Sequence, residues 1–295
     1  MFEGFISRDI MGSGARIRVV SGGSGPPLLL LHGYPQSHVM WHKVAPQLAH
    51  DFTLVMPDLR GYGASDKPAG TADHGNYCKR VMAQDMADVM RALGFGQFGI
   101  AAHDRGGRVA HRLAVDHPHL VSKLMLLDIS PTLAMYEQAS MEFARAYWWW
   151  FFLIQPAPFP ETLICAQPEV YLKKKIGYGT AGLAPFTDEA YAAYLRYGSD
   201  AATVHGMCED YRAAASIDLE HERADRAAGR RIQCPLHVIW GEHGVMQRCF
   251  KPLEDWRKVT DQRFAVTGYP VPSGHYIAEQ IPERAISEIT QFFIA

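Results

Sequence analysis

The chain is short of most features that would mark it as secreted, membrane-bound or nucleic-acid-binding. Its five cysteines (Cys78, Cys165, Cys208, Cys234 and Cys249) are odd in number, scattered, and form no C-x-x-C pair. That pattern argues against a disulfide framework and against a cysteine zinc site, and a reducing cytoplasm is the simplest compartment. Net charge is scarce as well. The 29 basic and 31 acidic residues sum to −2, so there is no basic excess to displace counterions from phosphates and no polybasic anchor for a membrane surface. The longest apolar run, AYWWWFFLI at 146–154, is roughly half of the ~20 residues a membrane span requires. The N-terminal MFEGFISRDIMGSGARIRVV lacks the basic-then-apolar order of a secretion signal. No period of 20–50 residues repeats, which argues against a solenoid.

The chain does have 295 residues, of which 48% are hydrophobic, enough to bury a core without covalent staples. LLLLHG (28–33), FTLVMPD (52–58), FGIAAHD (98–104), LMLLDIS (124–130) and PLHVIWGE (235–242) predict buried strands. Each is continuously apolar, as expected when helices cover both faces of a sheet. RFAVTG (263–268) predicts a weaker strand and ARIRVV (15–20) an antiparallel edge. Between the strands lie amphipathic helices. Along 79–93, Val81, Met82, Met86, Val89, Met90 and Leu93 follow a 3.6-residue period, and Gly94 supplies the stop. The β-α-β alternation predicts an α/β fold, a mostly parallel central sheet with helices on both faces. It breaks between 131 and 224, where the sequence turns helical, aromatic and proline-bearing. The expected organisation is therefore a core of 1–130 and 225–295 interrupted by a helical cap at 131–224. The cap would form a lid over the strand ends, where ligands of such sheets bind.

The strongest chemical signal is FGIAAHDRGGRVAHRLA (98–114). A strand meets a sharp turn with small residues flanking one functional residue, and a helix follows. This is the nucleophile-elbow layout, here Ala102-His103-Asp104-Arg105-Gly106, with Asp104 in the nucleophile position. The helix start favours its ionised form. HGYP (32–35) follows another strand and offers the backbone N–H of Tyr34 as one oxyanion donor, with the N–H of Arg105 as the second. His32 reads as a structural turn residue. A base must come late in the chain. His275, in PSGHYIAEQ (272–280), combines a loop position, a preceding glycine and a following terminal helix. The acid that orients it is either Asp128 or Glu242, and Asp128 is favoured because it ends its strand as Asp104 does. Chain order is then nucleophile, acid, base.

Arg105 and Arg108 stand in the first turn of the helix behind Asp104, where cations oppose the helix dipole at about 0.3–1 kcal/mol each. An anionic substrate removes that penalty, so the pair predicts a carboxylate clamp. Arg112 is expected on a solvated or salt-bridged face. Lys173, Lys174 and Lys175 read as a solvated helix face, and ERADRAAGRR (222–231) as a surface helix. His117 and His119 lack metal-ligand spacing.

Taken together, HGYP, DLRGYGASDKP (58–68), HDRGGR and GHY resemble the α/β-hydrolase superfamily, in its aspartate-nucleophile branch of haloalkane dehalogenases, epoxide hydrolases and haloacetate dehalogenases. HDRGGR, with FFLIQPAPFPE (151–161) and CEDYRAAASID (208–218), narrows the resemblance to fluoroacetate dehalogenase-like haloacetate dehalogenases. It covers nearly the whole chain. The resemblance implies a halide pocket from Trp149, Trp150 and Tyr211. At the first of these positions the family reads histidine, so chloride or bromide release is expected over fluoride. Trp148 is expected to be packing. The implied reaction is hydrolysis of haloacetate to glycolate and halide, with no metal and no organic cofactor, in a cytoplasmic homodimer. Alternatives are an epoxide hydrolase, with Tyr147, Tyr171, Tyr191, Tyr194 and Tyr211 as candidate activators, and a non-catalytic receptor for a small carboxylate.

Overall fold

The computed structural model describes residues 1–177, 179 and 181–294. Eight strands form one sheet: β1 (Ile6–Met11), β2 (Arg16–Gly22), β3 (Pro27–Leu31), β4 (Thr53–Pro57), β5 (Phe98–His103), β6 (Val121–Leu127), β7 (Leu236–Gly241) and β8 (Val266–Val271). Their spatial order is β1-β2-β4-β3-β5-β6-β7-β8. The β1–β2 and β2–β4 pairings are antiparallel and all the others are parallel.

Alternation inside the apolar strands explains their lack of polar positions. Leu29, Leu31, Ile100 and Ala102 face one helical layer, which includes Met82, Met86, Val109 and Leu113. Leu28, Leu30 and Ala101 face the other, with Trp41, Leu48 and Ile289. Every residue of β5 and β7 is buried, as a period of two requires when both faces are covered. The 15–20 segment is antiparallel but not an edge, because β1 pairs with it and is the outer strand. Most of β1 is exposed, so neither alternation nor apolarity announced it. The weak strand expected at 263–268 runs from Val266 to Val271.

Between β6 and β7 the described residues form no strand. Helices run from Thr132–Glu137 to Ile217–Ala228, the last continuing past residue 224. This excursion is fixed to the core by its aromatics. Phe143, Tyr147, Trp149, Trp150 and Tyr211 belong to the same buried cluster as the elbow-side face of the sheet. Burying each such ring is worth about 1.5–3 kcal/mol. No helix among the described residues is long and apolar enough to cross a membrane.

Candidate active site

The bend after β5 places Asp104 in the left-handed region, with φ of +46°. That conformation is costly for a residue with a side chain and persists only where the surroundings enforce it. Two glycines allow the close packing. A Cβ on Gly106 would lie 2.5 Å from the carbonyl oxygen of His32, and one on Gly33 would lie 2.5 Å from Cβ of Asp104. With Gly33 bare, the next backbone N–H, that of Tyr34, donates to Asp104 Oδ1 at 2.9 Å. Asp104 also begins the Asp104–Asp116 helix. Burial alone would raise its pKa, but His275, His103, Arg105 and Lys175 outweigh burial and lower it to about 2. The carboxylate is therefore an anion at neutral pH.

Asp128 repeats the bend after β6, with φ of +51°. Its Oδ1 accepts from the backbone N–H of Gly241 at 3.0 Å, and its Oδ2 lies 2.6 Å from Nδ1 of His275. Nε2 of His275 faces Asp104 Oδ2 at 3.9 Å. Nδ1 is taken up by Asp128, so Nε2, on the Asp104 side, is left for proton transfer. Glu242 is not at the site; it lies half-exposed against His243. Both nitrogens of His32 are occupied structurally, Nδ1 toward Gly33 O at 3.0 Å and Nε2 accepting from Leu59 N at 2.9 Å. His103, buried against His275 at a ring separation of 4.5 Å, is pushed down to about 3 chiefly by burial and stays neutral.

The two arginines are both buried but are held differently. Arg105 meets Asp210 through Nε and Nη2, each at 2.8 Å, and Nη2 also reaches the Asp210 carbonyl. Among the described residues, its Nη1 alone is left without a hydrogen-bond partner. Arg108 has no carboxylate partner among the described residues. It donates Nη1 to Thr132 Oγ1 at 2.7 Å and Nη2 toward Met135 Sδ at 3.1 Å, and its buried Nε has no partner. Burial and the neighbouring Arg105 lower its pKa. Arg112 is salt-bridged as expected, to Asp116 and Asp225.

Facing these groups are Trp149, Trp150 and Tyr211, all buried. Nε1 of Trp150 and the hydroxyl of Tyr211 have no hydrogen-bond partner among the described residues. Each ring carries one cation: Arg105 over Tyr211 at 4.1 Å, Arg108 over Trp150 at 4.6 Å, and Lys175 over Trp149 at 4.0 Å from the ring centre. Trp148 is only partly buried and packs edge-on against Trp149 and Tyr171. Among the other tyrosines, Tyr171 shares a 2.6 Å hydrogen bond with Tyr34, Tyr194 donates to Glu279, and Tyr147 OH lies 3.1 Å from Nδ1 of His275. A roomier cleft of about 680 Å³ lies behind the elbow helix, lined by His111, Glu222 and Asp225 among others. It contains none of the residues around Asp104.

Two residues at this site were not anticipated. Asp210, in the Ala201–Ala214 helix, is buried and joins Arg105, Lys79 and Tyr62. Despite burial, Arg105 and Lys79 hold its pKa far below the usual carboxylate range. Lys175 corrects the expectation of a solvated lysine face. Lys173 is half-exposed, but Lys175 is 1% exposed, at the end of the Pro168–Ile176 helix. It donates to Tyr276 OH at 2.8 Å. The helix turns residues 171, 172, 175 and 176 inward together, so burial of Leu172 and Ile176 carries Lys175 with it.

Comparison with known proteins places the chain in a family. A family model described as the alpha/beta hydrolase fold matches residues 26–244. A fluoroacetate dehalogenase of Burkholderia sp is 44% identical over 99% of this chain and 95% of its own length. A soluble epoxide hydrolase of Corynebacterium sp. (strain C12) is 32% identical over 95% of this chain and 94% of its own. A solved structure from Nostoc sp PCC 7120, assigned to the alpha/beta hydrolases, superposes with a TM-score of 0.94 at 51% identity, covering 99% of both chains. The chain belongs to the α/β-hydrolase family, in its haloacetate dehalogenase-like branch.

Proposed function

We propose that the protein hydrolyses the carbon–halogen bond of short 2-haloacids, converting haloacetate and water to glycolate and halide through an ester on Asp104. The observation that carries this reading is Arg108, a buried guanidinium with an unpartnered Nε and no carboxylate of its own. Next to it stand an ionised Asp104 and the free Nη1 of Arg105. A neutral substrate would leave that cation unpaired, whereas a carboxylate neutralises it through charge-assisted hydrogen bonds.

In the first step Asp104 Oδ2 attacks the halogen-bearing carbon. The bonding pair leaves with the halide, toward Nε1–H of Trp150 and O–H of Tyr211, with Trp149 beside them. In the second step His275, oriented by Asp128, takes a proton from water, and the water oxygen adds to the ester carbonyl carbon. The N–H of Tyr34, already on Oδ1, and the N–H of Arg105 stabilise the oxyanion, an effect of roughly 3–4 kcal/mol at a comparable site. Collapse breaks the bond between the Asp104 carboxyl carbon and the glycolate oxygen, which takes the proton held by His275, and loss of the added hydroxyl's proton to solvent restores the Asp104 carboxylate. Water is the only co-reactant. The helical segment between β6 and β7 acts as the cap: it supplies Trp149, Trp150, Tyr211 and Asp210 and seals the site from solvent.

A single turnover in heavy-oxygen water tests this. Label is expected in Asp104 and not in the first glycolate released; label in that glycolate would mean direct attack by water and would refute the covalent step. The likeness to an epoxide hydrolase supports a second reading, and Tyr211, with its free hydroxyl, would then activate the epoxide oxygen. Turnover of styrene oxide but not of chloroacetate would establish that alternative. Tight binding of a small acid without halide release, unaffected by Asp104→Asn, would indicate a receptor.

A further inference from the structure

Lys175 has no role in the steps above, yet it is a buried charge with no carboxylate paired to it among the described residues. Its ammonium is buried, lies over the face of Trp149 at 4.0 Å, and sits 5.4 Å from the Tyr34 ring and 5.3 Å from that of Tyr276. One N–H goes to the Tyr276 hydroxyl. No carboxylate forms an ion pair with it among the described residues, and the anion whose field reaches it is Asp104. The other titratable groups facing it are neutral. Tyr34, from the loop after β3, and Tyr276, from the loop after β8, are held protonated by burial, and His103, at the end of β5, is uncharged.

Charge conservation through the displacement step gives this cation a task. Before reaction, the negative charge near Lys175 is on Asp104. As the ester forms, Asp104 becomes neutral and the electron pair of the C–X bond appears on the halide. Arg105 already has Asp210, and Arg108 is matched by the substrate carboxylate. Lys175 is the cation left to follow the charge as it moves.

We propose that Lys175 is a catalytic residue of this step, its ammonium donating to the departing halide at the Trp149 side of the pocket. The assignment rests on the haloacid reading and deepens it, because it states which leaving groups the site can serve. The halide leaves as an anion hydrogen-bonded to Nζ–H, and no proton needs to be transferred. The demand for such a donor is greatest for the poorest leaving group, so loss of Lys175 should penalise fluoride over chloride and chloride over bromide.

The test compares Lys175→Met and Lys175→Arg with the parent protein on fluoro-, chloro- and bromoacetate. Lys175→Met is expected to slow chloride release by roughly 100-fold, the scale of removing one donor from a developing anion, and bromide release by clearly less. Lys175→Arg should recover much of the lost chloride release and bring the chloride-to-bromide ratio back toward that of the parent. Burial lowers the Lys175 pKa to about 7 against the pull of Asp104. The parent kcat should therefore fall above neutral pH, and that limb should be missing in Lys175→Met. Sodium bromide should quench tryptophan fluorescence in the parent and far less in Lys175→Met. Equal slowing of all three acids would mean that Lys175 only keeps Asp104 ionised, and would overturn the assignment while leaving the haloacid reading intact. Absence of halide release from the parent with every acid would overturn that reading and the assignment with it. Methionine is close to lysine in volume and removes a buried charge, so the variant should melt no lower than the parent. If it does melt lower, Lys175→Arg decides: a folded arginine variant that keeps the parent's chloride-to-bromide ratio supports the assignment, and one whose chloride release falls relative to bromide as far as in Lys175→Met overturns it.

Discussion

Replacing Arg108 by methionine should make the protein more stable and inactive at once. Arg108 is 2% exposed, makes hydrogen bonds only to a hydroxyl and a thioether, and keeps one N–H unsatisfied. A buried charge without its counter-ion costs several kcal/mol, and exchanging buried ionic groups for apolar ones of similar size often gains about 1–4 kcal/mol. At about 2 °C per kcal/mol for a chain of this size, Arg108→Met should raise the melting temperature by roughly 2–8 °C in ligand-free buffer. The gap should shrink by about 2.7 kcal/mol when a saturating anion is present. Glycolate at about 100 times its Kd would stabilise the parent by about 2.7 kcal/mol, and the variant should show almost none of this shift. Calorimetry or thermal melts with and without glycolate, together with halide release from chloroacetate, read all three effects. A variant that melts lower than the parent in plain buffer, or that keeps both the glycolate shift and turnover, would refute the argument that this guanidinium awaits a substrate carboxylate.

Three further outcomes are expected. His275→Gln should release about one equivalent of halide per protein and then stop, with an intact-mass increase equal to the bound acyl group, because displacement needs only Asp104 and hydrolysis needs the base; steady turnover would contradict the assignment of the base. Glu279 is buried under Gln36 and Tyr194, and burial, outweighing those bonds and Lys43, raises its pKa to about 8. Its folded form holds a proton that the unfolded chain has released by about pH 5, so stability should fall by up to a few kcal/mol as pH rises from about 5 to 8. Thermal melts of Glu279→Gln across that range should show a flatter profile. Trp149→His should increase fluoride release relative to chloride, measured with a fluoride electrode; robust defluorination by the parent would show that position 149 does not need an imidazole.

The parts of the site that depend on backbone direction were legible in the sequence. A bend between a buried strand and a helix needs small neighbours, so Asp104 stands out between Ala102 and Gly106, and Asp128 ends its strand with the same left-handed turn. The strands β3, β5 and β7 announced themselves because burial on both faces leaves no polar position. β1 did not, since an exposed outer strand that pairs only with β2 carries little hydrophobic pattern. The counter-ions of the site were hidden for a different reason. Asp210 and Lys175 lie in the helical excursion, far in sequence from Asp104, and a charged residue on a helix is ordinarily on its wet side. A signal did exist for Lys175: it shares one helical face with Tyr171, Leu172 and Ile176, and that stripe has to be buried somewhere. Nothing comparable pointed to Asp210, because Met207, Cys208, Glu209, Asp210, Tyr211 and Arg212 are all buried, so the helix has no wet side from which to infer a dry one. Its pairing with Arg105 matters for selectivity. By holding two of the three guanidinium nitrogens it leaves Nη1 as the one point of contact, so that on the proposed haloacid reading Arg108 would supply most of the charge for a substrate carboxylate. A clamp built in that way has one matched and one unmatched cation, and together they complement a single negative charge.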